Sequence, residues 1–253
     1  MRLLIQKNVP HWAAAYIKQR ILAFHPSPAR PFVLGVPTGS TPLPMYQALI
    51  EFHQLGEMSF KHVITFNLDE YAGLPRNHPQ SYYTYMSRNF FQHVDIPPQH
   101  IHRLNGEAVD LEAECVAYEK QIAAVGGIDL LIGGVGTNGH IAFNEPGSAL
   151  ASRTRVVPLS AATRRSNALF FNHQVDQVPK YALTMGIATI MEAREVLILA
   201  CGAHKASAIL QGMQGPITSS WPISALRQHA NATLLCDQQA AANPTIGMSR
   251  QSE

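Results

Sequence analysis

Five short apolar runs recur along this chain, and each gives way to a polar turn or an amphipathic stretch. They are Phe32–Val36, Val63–Leu68, Ile128–Ile132, Val196–Cys201 and Ala232–Cys236. Runs of this length without strict alternation fit strands buried on both faces. The second run is expected to end at Asp69-Glu70. Between the runs, Pro44–Leu55 carries Met45, Leu49 and Phe52 at helical spacing. Leu111–Val125 and Lys205–Met213 read as helices, and the aromatic-rich His78–Val94 reads as helical in its centre. Strands alternating with helices predict an α/β fold: a single-domain, three-layer, Rossmann-like open sheet, mostly parallel, with helices on both faces. At 253 residues the chain can bury one large core. The domain is expected to span residues 1–242. The polar tail 243–253, holding Pro244 and Gly247, is expected to be loose.

Bulk properties narrow the partners. A formal charge of +2 gives no electrostatic case for nucleic acid or a membrane surface. Cys115, Cys201 and Cys236 are odd in number, far apart and in no CxxC pair. They read as reduced thiols of a cytoplasmic protein. Residues 1–10 hold no apolar stretch long enough for a signal peptide. No run of about 18 apolar residues suggests a membrane span.

The Ile128–Ile132 run leads into Gly134-Val135-Gly136-Thr137-Asn138-Gly139-His140-Ile141-Ala142-Phe143-Asn144-Glu145-Pro146-Gly147. A loop at the carboxyl end of a buried strand is where open α/β sheets place their ligands. Glycines let its backbone turn sharply and approach a small molecule. His140 and Glu145 make it a candidate acid–base site, because imidazole both takes and gives a proton near neutral pH. Gly134-x-Gly136-x-x-Gly139 also matches the dinucleotide fingerprint. That fingerprint opens a helix and meets an acidic residue about 20 residues later. Here Asn144, Pro146 and Gly147 follow, and no Asp or Glu lies between Glu145 and Asp176. The segment therefore argues against a nicotinamide or flavin site.

Three further pieces carry chemistry. Thr38-Gly39-Ser40-Thr41-Pro42 lies between a strand and a helix and could cradle an anion. Its plain alternative is a helix cap. It is no Walker loop, since no Gly-Lys-Ser/Thr follows. Asp69, on the same expected rim, could be a base, a metal ligand or a cap. A metal would need clustered ligands, and the twelve histidines are scattered. The nearest pair, His100 and His102, reads as surface loop. Lys205 opens a helix after a strand, either as a solvated lysine or as a cation for a phosphate. No Gly-x-Ser-x-Gly elbow marks a serine hydrolase.

Together these pieces resemble the glucosamine-6-phosphate deaminases. The matching segments are Val36–Pro42, Asn67–Tyr71, Gly139–Pro146, Ser152–Arg155 and Val178–Gly186, in the family's order and spacing. The resemblance runs from Met1 to about Asp237. Asn144-Glu145-Pro146 and Asp69-Glu70-Tyr71 separate the chain from the related 6-phosphogluconolactonases. The resemblance implies an isomerase-deaminase, a hydrolase of amino-sugar catabolism, needing neither metal nor organic cofactor. His140, held by Glu145 and Asn138, would open the sugar ring. Asp69 would carry the C2 proton to C1. Gly39, Ser40, Thr41 and Lys205 would hold the phosphate of a hexosamine 6-phosphate.

The family's pattern is broken at three positions. Many members carry Asp where this chain has Asn138. An amide still accepts a hydrogen bond but stabilises a cation less well, and activity is expected to survive. Leu169 replaces the expected phosphate arginine, which should raise KM unless Arg164 or Arg165 compensates. Ser148 and Arg155 look like the remnant of an allosteric site, but Val157 replaces its second basic residue. Hyperbolic kinetics are expected in consequence. The family includes hexamers and monomers, so homo-oligomerisation stays open. A galactosamine-6-phosphate deaminase and a non-catalytic sugar-phosphate sensor are the alternative readings. The second is disfavoured because no helix-turn-helix segment is attached.

Overall fold

The computed structural model describes residues 1–242; the expected loose tail, 243–253, lies outside the described residues. The first half runs β1 (Arg2–Ile5), α1 (Val9–Phe24), β2 (Phe32–Val36), α2 (Leu43–Gln54), β3 (Val63–Asn67), β4 (Asp69–Tyr71), α3 (Tyr82–Asn89) and β5 (Ile101–His102). Then come α4 (Leu111–Ala124), β6 (Leu130–Gly134), β7 (Arg155–Pro158), α5 (Ala161–Asn167) and β8 (Tyr181–Thr184). Last are α6 (Ile187–Met191), β9 (Val196–Ala200), α7 (Ala206–Gln214) and β10 (Ala232–Cys236).

Seven strands form one sheet in the order β1-β10-β9-β6-β2-β3-β5, with every neighbouring pair parallel. From β2 the chain moves outward through β3 and β5, then crosses back to lay β6 on the other side of β2. This reversal opens a crevice at the carboxyl ends of β2 and β6.

Side chains alternate across each strand, so one strand feeds two cores. Val33, Leu131, Ile198 and Leu234 pack with Tyr118 of α4, Ile190 of α6 and Ile209 of α7. Leu34, Leu130, Leu199 and Leu235 pack with Ile17 of α1, Leu49 of α2 and Met86 of α3. Each such side chain stabilises the fold by about 1.5–3 kcal/mol. The expected three-layer α/β architecture is therefore present, with helices on both faces. Sequence periodicity did not reveal β1 or α1. Helix α1 is capped by Asn8, whose side chain accepts from the His11 N–H at 3.2 Å, and buries Val9, Ala13, Ala14, Ile17 and Ile21.

Two expectations need correction. The run 63–68 does not continue as one strand to Asp69-Glu70. It leaves the main sheet after Asn67 and enters β4 in a second, antiparallel sheet of order β4-β8-β7. Leu68 joins the two sheets. Its N–H donates to the Val36 carbonyl at 3.2 Å, and its own carbonyl accepts from the Met185 N–H at 2.8 Å. Tyr71, Phe143, Val157, Phe171 and Ala182 form a third apolar cluster beside this small sheet. His102, expected in a surface loop, lies in β5 and stacks on Phe66 with ring centroids 4.5 Å apart. All three cysteines are free, with Cys115 and Cys236 buried and Cys201 half-buried. No helix among the described residues is long and apolar enough to cross a membrane.

Candidate active site

After β6 the chain turns tightly. The Gly136 N–H donates to the His140 carbonyl at 2.9 Å, and the Gly139 N–H donates to the Gly136 carbonyl at 3.0 Å. A Cβ on Gly136 would stand 2.0 Å from Cε1 of His140, so a side chain there would evict the imidazole. Nδ1 of His140 lies 2.7 Å from Oδ1 of Asn138, and Nδ2 of Asn138 donates to Oε2 of Glu145 at 2.8 Å. The Thr163 hydroxyl of α5 donates to the other Glu145 oxygen.

These contacts fix the tautomer. A carboxylate only accepts, so Asn138 must turn its amide nitrogen to Glu145 and its oxygen to the ring. Nδ1 then carries the proton, and Nε2 keeps its lone pair. Burial lowers the His140 pKa; Glu145 opposes that shift, and the Lys205 charge adds to it. The imidazole is held neutral. Glu145 was expected to hold His140. Its oxygen is 3.9 Å from Nδ1, so the coupling runs through Asn138.

Asp69 opens β4, and its partner across the ladder is Thr184 of β8. The Thr184 hydroxyl accepts the Phe143 N–H at 3.1 Å, which ties the Asp69 strand to the His140 loop. Asn144, fully buried, donates to the carbonyls of Ile141 at 2.9 Å and Met185 at 2.7 Å and closes the same seam. Asp69 is buried close enough for its charge to act on Tyr46, Tyr71, Tyr82 and Tyr118. The hydroxyls of Tyr46 and Tyr118 donate elsewhere, to the carbonyls of Pro37 at 2.5 Å and Asn67 at 2.7 Å. No hydrogen bond from a described residue reaches the Asp69 carboxylate. Burial, and after it the Glu70 charge, push Asp69 up to about 8.

Sequence reasoning gave Glu70 no role. Its carboxylate accepts the backbone N–H groups of Tyr71, Tyr82 and Tyr83, each at 2.9 Å, and so caps α3. Thr163 and Thr184 were missed too. Only Thr163 had a local signal, since Ser160 caps α5 by accepting its N–H at 3.1 Å.

Gly39, Ser40 and Thr41 lie in the loop between β2 and α2. Gly39 sits at φ +109°, a left-handed conformation that favours glycine, and its carbonyl accepts the Tyr85 hydroxyl at 2.6 Å. No side chain caps α2, so the plain cap reading of Ser40 and Thr41 fails. Lys205 ends a 3-10 turn just before α7 and is half-buried. Burial lowers its pKa, and its charge reaches His140. Strands β9, β6 and β2 are neighbours, so the Lys205, His140 and Gly39 loops share one rim.

Arg155 donates to Oγ of Ser148 at 3.2 Å and to Oδ1 of Asn144 at 2.9 Å, joining the two residues of the expected remnant. Val157 is buried and Leu169 exposed. Arg164 spends its guanidinium on the carbonyls of Val175 and Val178, while Arg165 is exposed. Among the described residues, no group of three His, Cys, Asp or Glu side chains is arranged to hold a metal ion.

A neutral imidazole and an unbraced carboxylate, set with a lysine at the reversal point of a parallel sheet, define a class: α/β enzymes of small anionic substrates. The chain belongs to the family of glucosamine-6-phosphate isomerases/6-phosphogluconolactonase, whose model matches residues 6–235. It is 52% identical over 250 residues to a glucosamine-6-phosphate deaminase of Phocaeicola vulgatus, covering 98% of this chain and 95% of that one. It is 54% identical over 243 residues to a glucosamine-6-phosphate deaminase of Drosophila pseudoobscura pseudoobscura, covering 95% and 89%. A solved structure of a monomeric glucosamine-6-phosphate deaminase matches with a TM-score of 0.90 at 43% identity, covering 95% of this chain and 99% of that one.

Proposed function

We propose that this chain is a glucosamine-6-phosphate deaminase, converting glucosamine 6-phosphate and water to fructose 6-phosphate and ammonia. The identity to curated deaminases over nearly the whole chain supports the reaction. The observation that carries the mechanism is the fixed tautomer of His140, which leaves Nε2 free, on a loop tied through Thr184 to the strand of the buried, unbraced Asp69.

Residues 1–242 form the catalytic unit, acting in the cytoplasm. Gly39, Ser40, Thr41 and Lys205 hold the phosphate. Nε2 of His140 takes the proton of the ring hydroxyl and returns it to the ring oxygen as the C1–O bond breaks. The cation formed in passing is stabilised by Glu145 through Asn138. Asp69 then removes the C2 proton, leaving an enolamine, and delivers it to C1. Water adds to the resulting C2 imine, and ammonia leaves. The substrate's ammonium group, bound near Asp69, favours the carboxylate over the neutral acid and so readies the base.

Ammonia release measured side by side with glucosamine and galactosamine 6-phosphates tests the reading. Turnover of the gluco epimer is expected. Turnover of the galacto epimer alone would reassign the substrate, and binding of both without turnover would make the chain a sensor. Regulation is expected to be absent. Arg155 has already bonded Ser148 and Asn144, and Val157 cannot replace a cation. A contact to a charged group is worth about 1.5–3 kcal/mol, as large as a typical coupling energy of about 1–3 kcal/mol. Hyperbolic kinetics, unaltered by N-acetylglucosamine 6-phosphate, are the expected outcome; sigmoidal kinetics relieved by it would overturn this. The exposed Leu169 should leave KM high under either condition.

A further inference from the structure

A second polar cavity of about 510 Å³ opens at the edge of the main sheet, lined by Arg76, His102, Arg103, Asn105, Glu107 and Gln121. It shares no residue with the site described above. Its volume falls within the range of about 300–1,000 Å³ usual for small-molecule sites. Two guanidinium groups dominate it. Arg76 lies 4.1 Å and Arg103 4.2 Å from the ring centroid of Tyr83, so both cations crowd one aromatic ring. Neither has a carboxylate within salt-bridge distance among the described residues. Arg76 donates to the Tyr83 hydroxyl at 2.5 Å, and the carboxylate of Glu107 is held instead by the Arg76 backbone N–H at 2.6 Å.

Crowding like charges is unfavourable unless something offsets it. Arg103 is half-buried, and burial and then the Arg76 charge lower its pKa. The carboxylates of Glu70 and Glu114 attract it, yet both are committed. Glu70 caps α3, and Glu114 accepts the Asn105 N–H at 2.9 Å. Beyond the two arginines the wall carries one carboxylate, Glu107, already bonded to the Arg76 backbone N–H, and is otherwise neutral. Nδ1 of His102 is bonded to Oε1 of Gln121 at 3.0 Å, and burial lowers the His102 pKa. A guanidinium pair with uncommitted N–H donors suits the doubly charged oxygens of a phosphate. The amides of Asn105 and Gln121 suit a small hydroxylated body.

We propose that this cavity binds a small phosphate monoester, with Arg76 and Arg103 gripping the phosphate group and the amide-lined wall receiving the body. The test is ¹⁵N-resolved NMR on the full chain at fixed ionic strength, titrating glycerol 3-phosphate, inorganic phosphate and chloride in separate arms. Saturable shifts of Tyr83, His102, Arg103 and Asn105 are expected with glycerol 3-phosphate. They should persist in Lys205→Ala, which weakens the other phosphate site. They should need about tenfold or more ligand in Arg76→Gln and in Arg103→Gln. Arg76 is exposed, so its variant decides the matter if loss of Arg103 unfolds the protein. Shifts matched by chloride, confined to Gly39–Thr41 and Lys205, or unchanged in Arg76→Gln would overturn the site. Inorganic phosphate binding as tightly as the monoester would overturn the assigned ligand. Ammonia release plays no part in these readouts, so failure here leaves the proposed reaction standing.

Discussion

The His140 loop and the Asp69 strand are tied together through Thr184 and are built in opposite ways. The imidazole is braced from behind by Asn138, Glu145 and Thr163, each contact selecting one orientation. The Asp69 carboxylate has no such brace; its neighbour Glu70 takes the backbone donors instead. One group is aimed by hydrogen bonds, and the other is energised by their absence. A braced carboxylate would be acidic and a feeble base. Left bare and buried, Asp69 reaches about 8, where accepting a proton and giving it back are closely balanced.

Removing the bare group should have the largest effect. Asp69→Asn is expected to slow C2 proton exchange with deuterated solvent by about 10⁴-fold, the upper end for a positioned base. Substrate binding should largely survive, and wild-type exchange in that variant would take the role of base from Asp69. The braced group should matter at another step. His140→Gln is expected to slow turnover of the cyclic substrate by about 10²-fold while an open-chain analogue binds nearly as before. Equal weakening of both ligands would make His140 a general binding residue.

The smallest effect concerns stability. Asp69 has a folded pKa of about 8 against an ordinary 3.8, so the native state binds the extra proton throughout that window. Stability attributable to this group therefore falls as pH rises from about 4 to about 8. Asp69→Asn should raise Tm at pH 8 by several degrees, at about 2–4 °C per kcal/mol for a chain of this size, with the gain shrinking toward pH 4. A gain independent of pH would place its origin in packing rather than in the bare charge.

The same contrast separates what could be read in the sequence from what could not. Strands β2, β3, β9 and β10 are buried along their whole length, and such strands announce themselves as unbroken apolar runs. Helix α1 was hidden because Trp12, Tyr16, Leu22 and Phe24 lie outside its fully buried stripe and blur the period. Strands β7 and β8 are four residues each, with only part of each buried, and their pairing exists only once the chain has folded back. The break after Asn67 has no local signal, since Leu68 still extends the apolar run beyond it. His140, Asn138 and Glu145 were legible together because they fall within eight consecutive residues. The seam that brings Asp69 to them runs through Thr184, more than a hundred residues further along, and only tertiary structure shows it.

Asn138 is followed by glycine, the pairing in which a backbone nitrogen most readily attacks the preceding side-chain amide. That attack closes a succinimide and expels ammonia, and water then opens the ring to aspartate or isoaspartate. Folding pins both reactants. The amide is held between Glu145 and His140, and the Gly139 N–H is engaged by the Gly136 carbonyl. The contacts that aim the imidazole are therefore expected also to slow chemical ageing of the chain. Molecules held unfolded should accumulate the modified peptide while folded ones stay intact, as mass spectrometry of the 138–139 segment can establish. An aged chain that refolds with aspartate would carry a carboxylate where an amide now links His140 to Glu145.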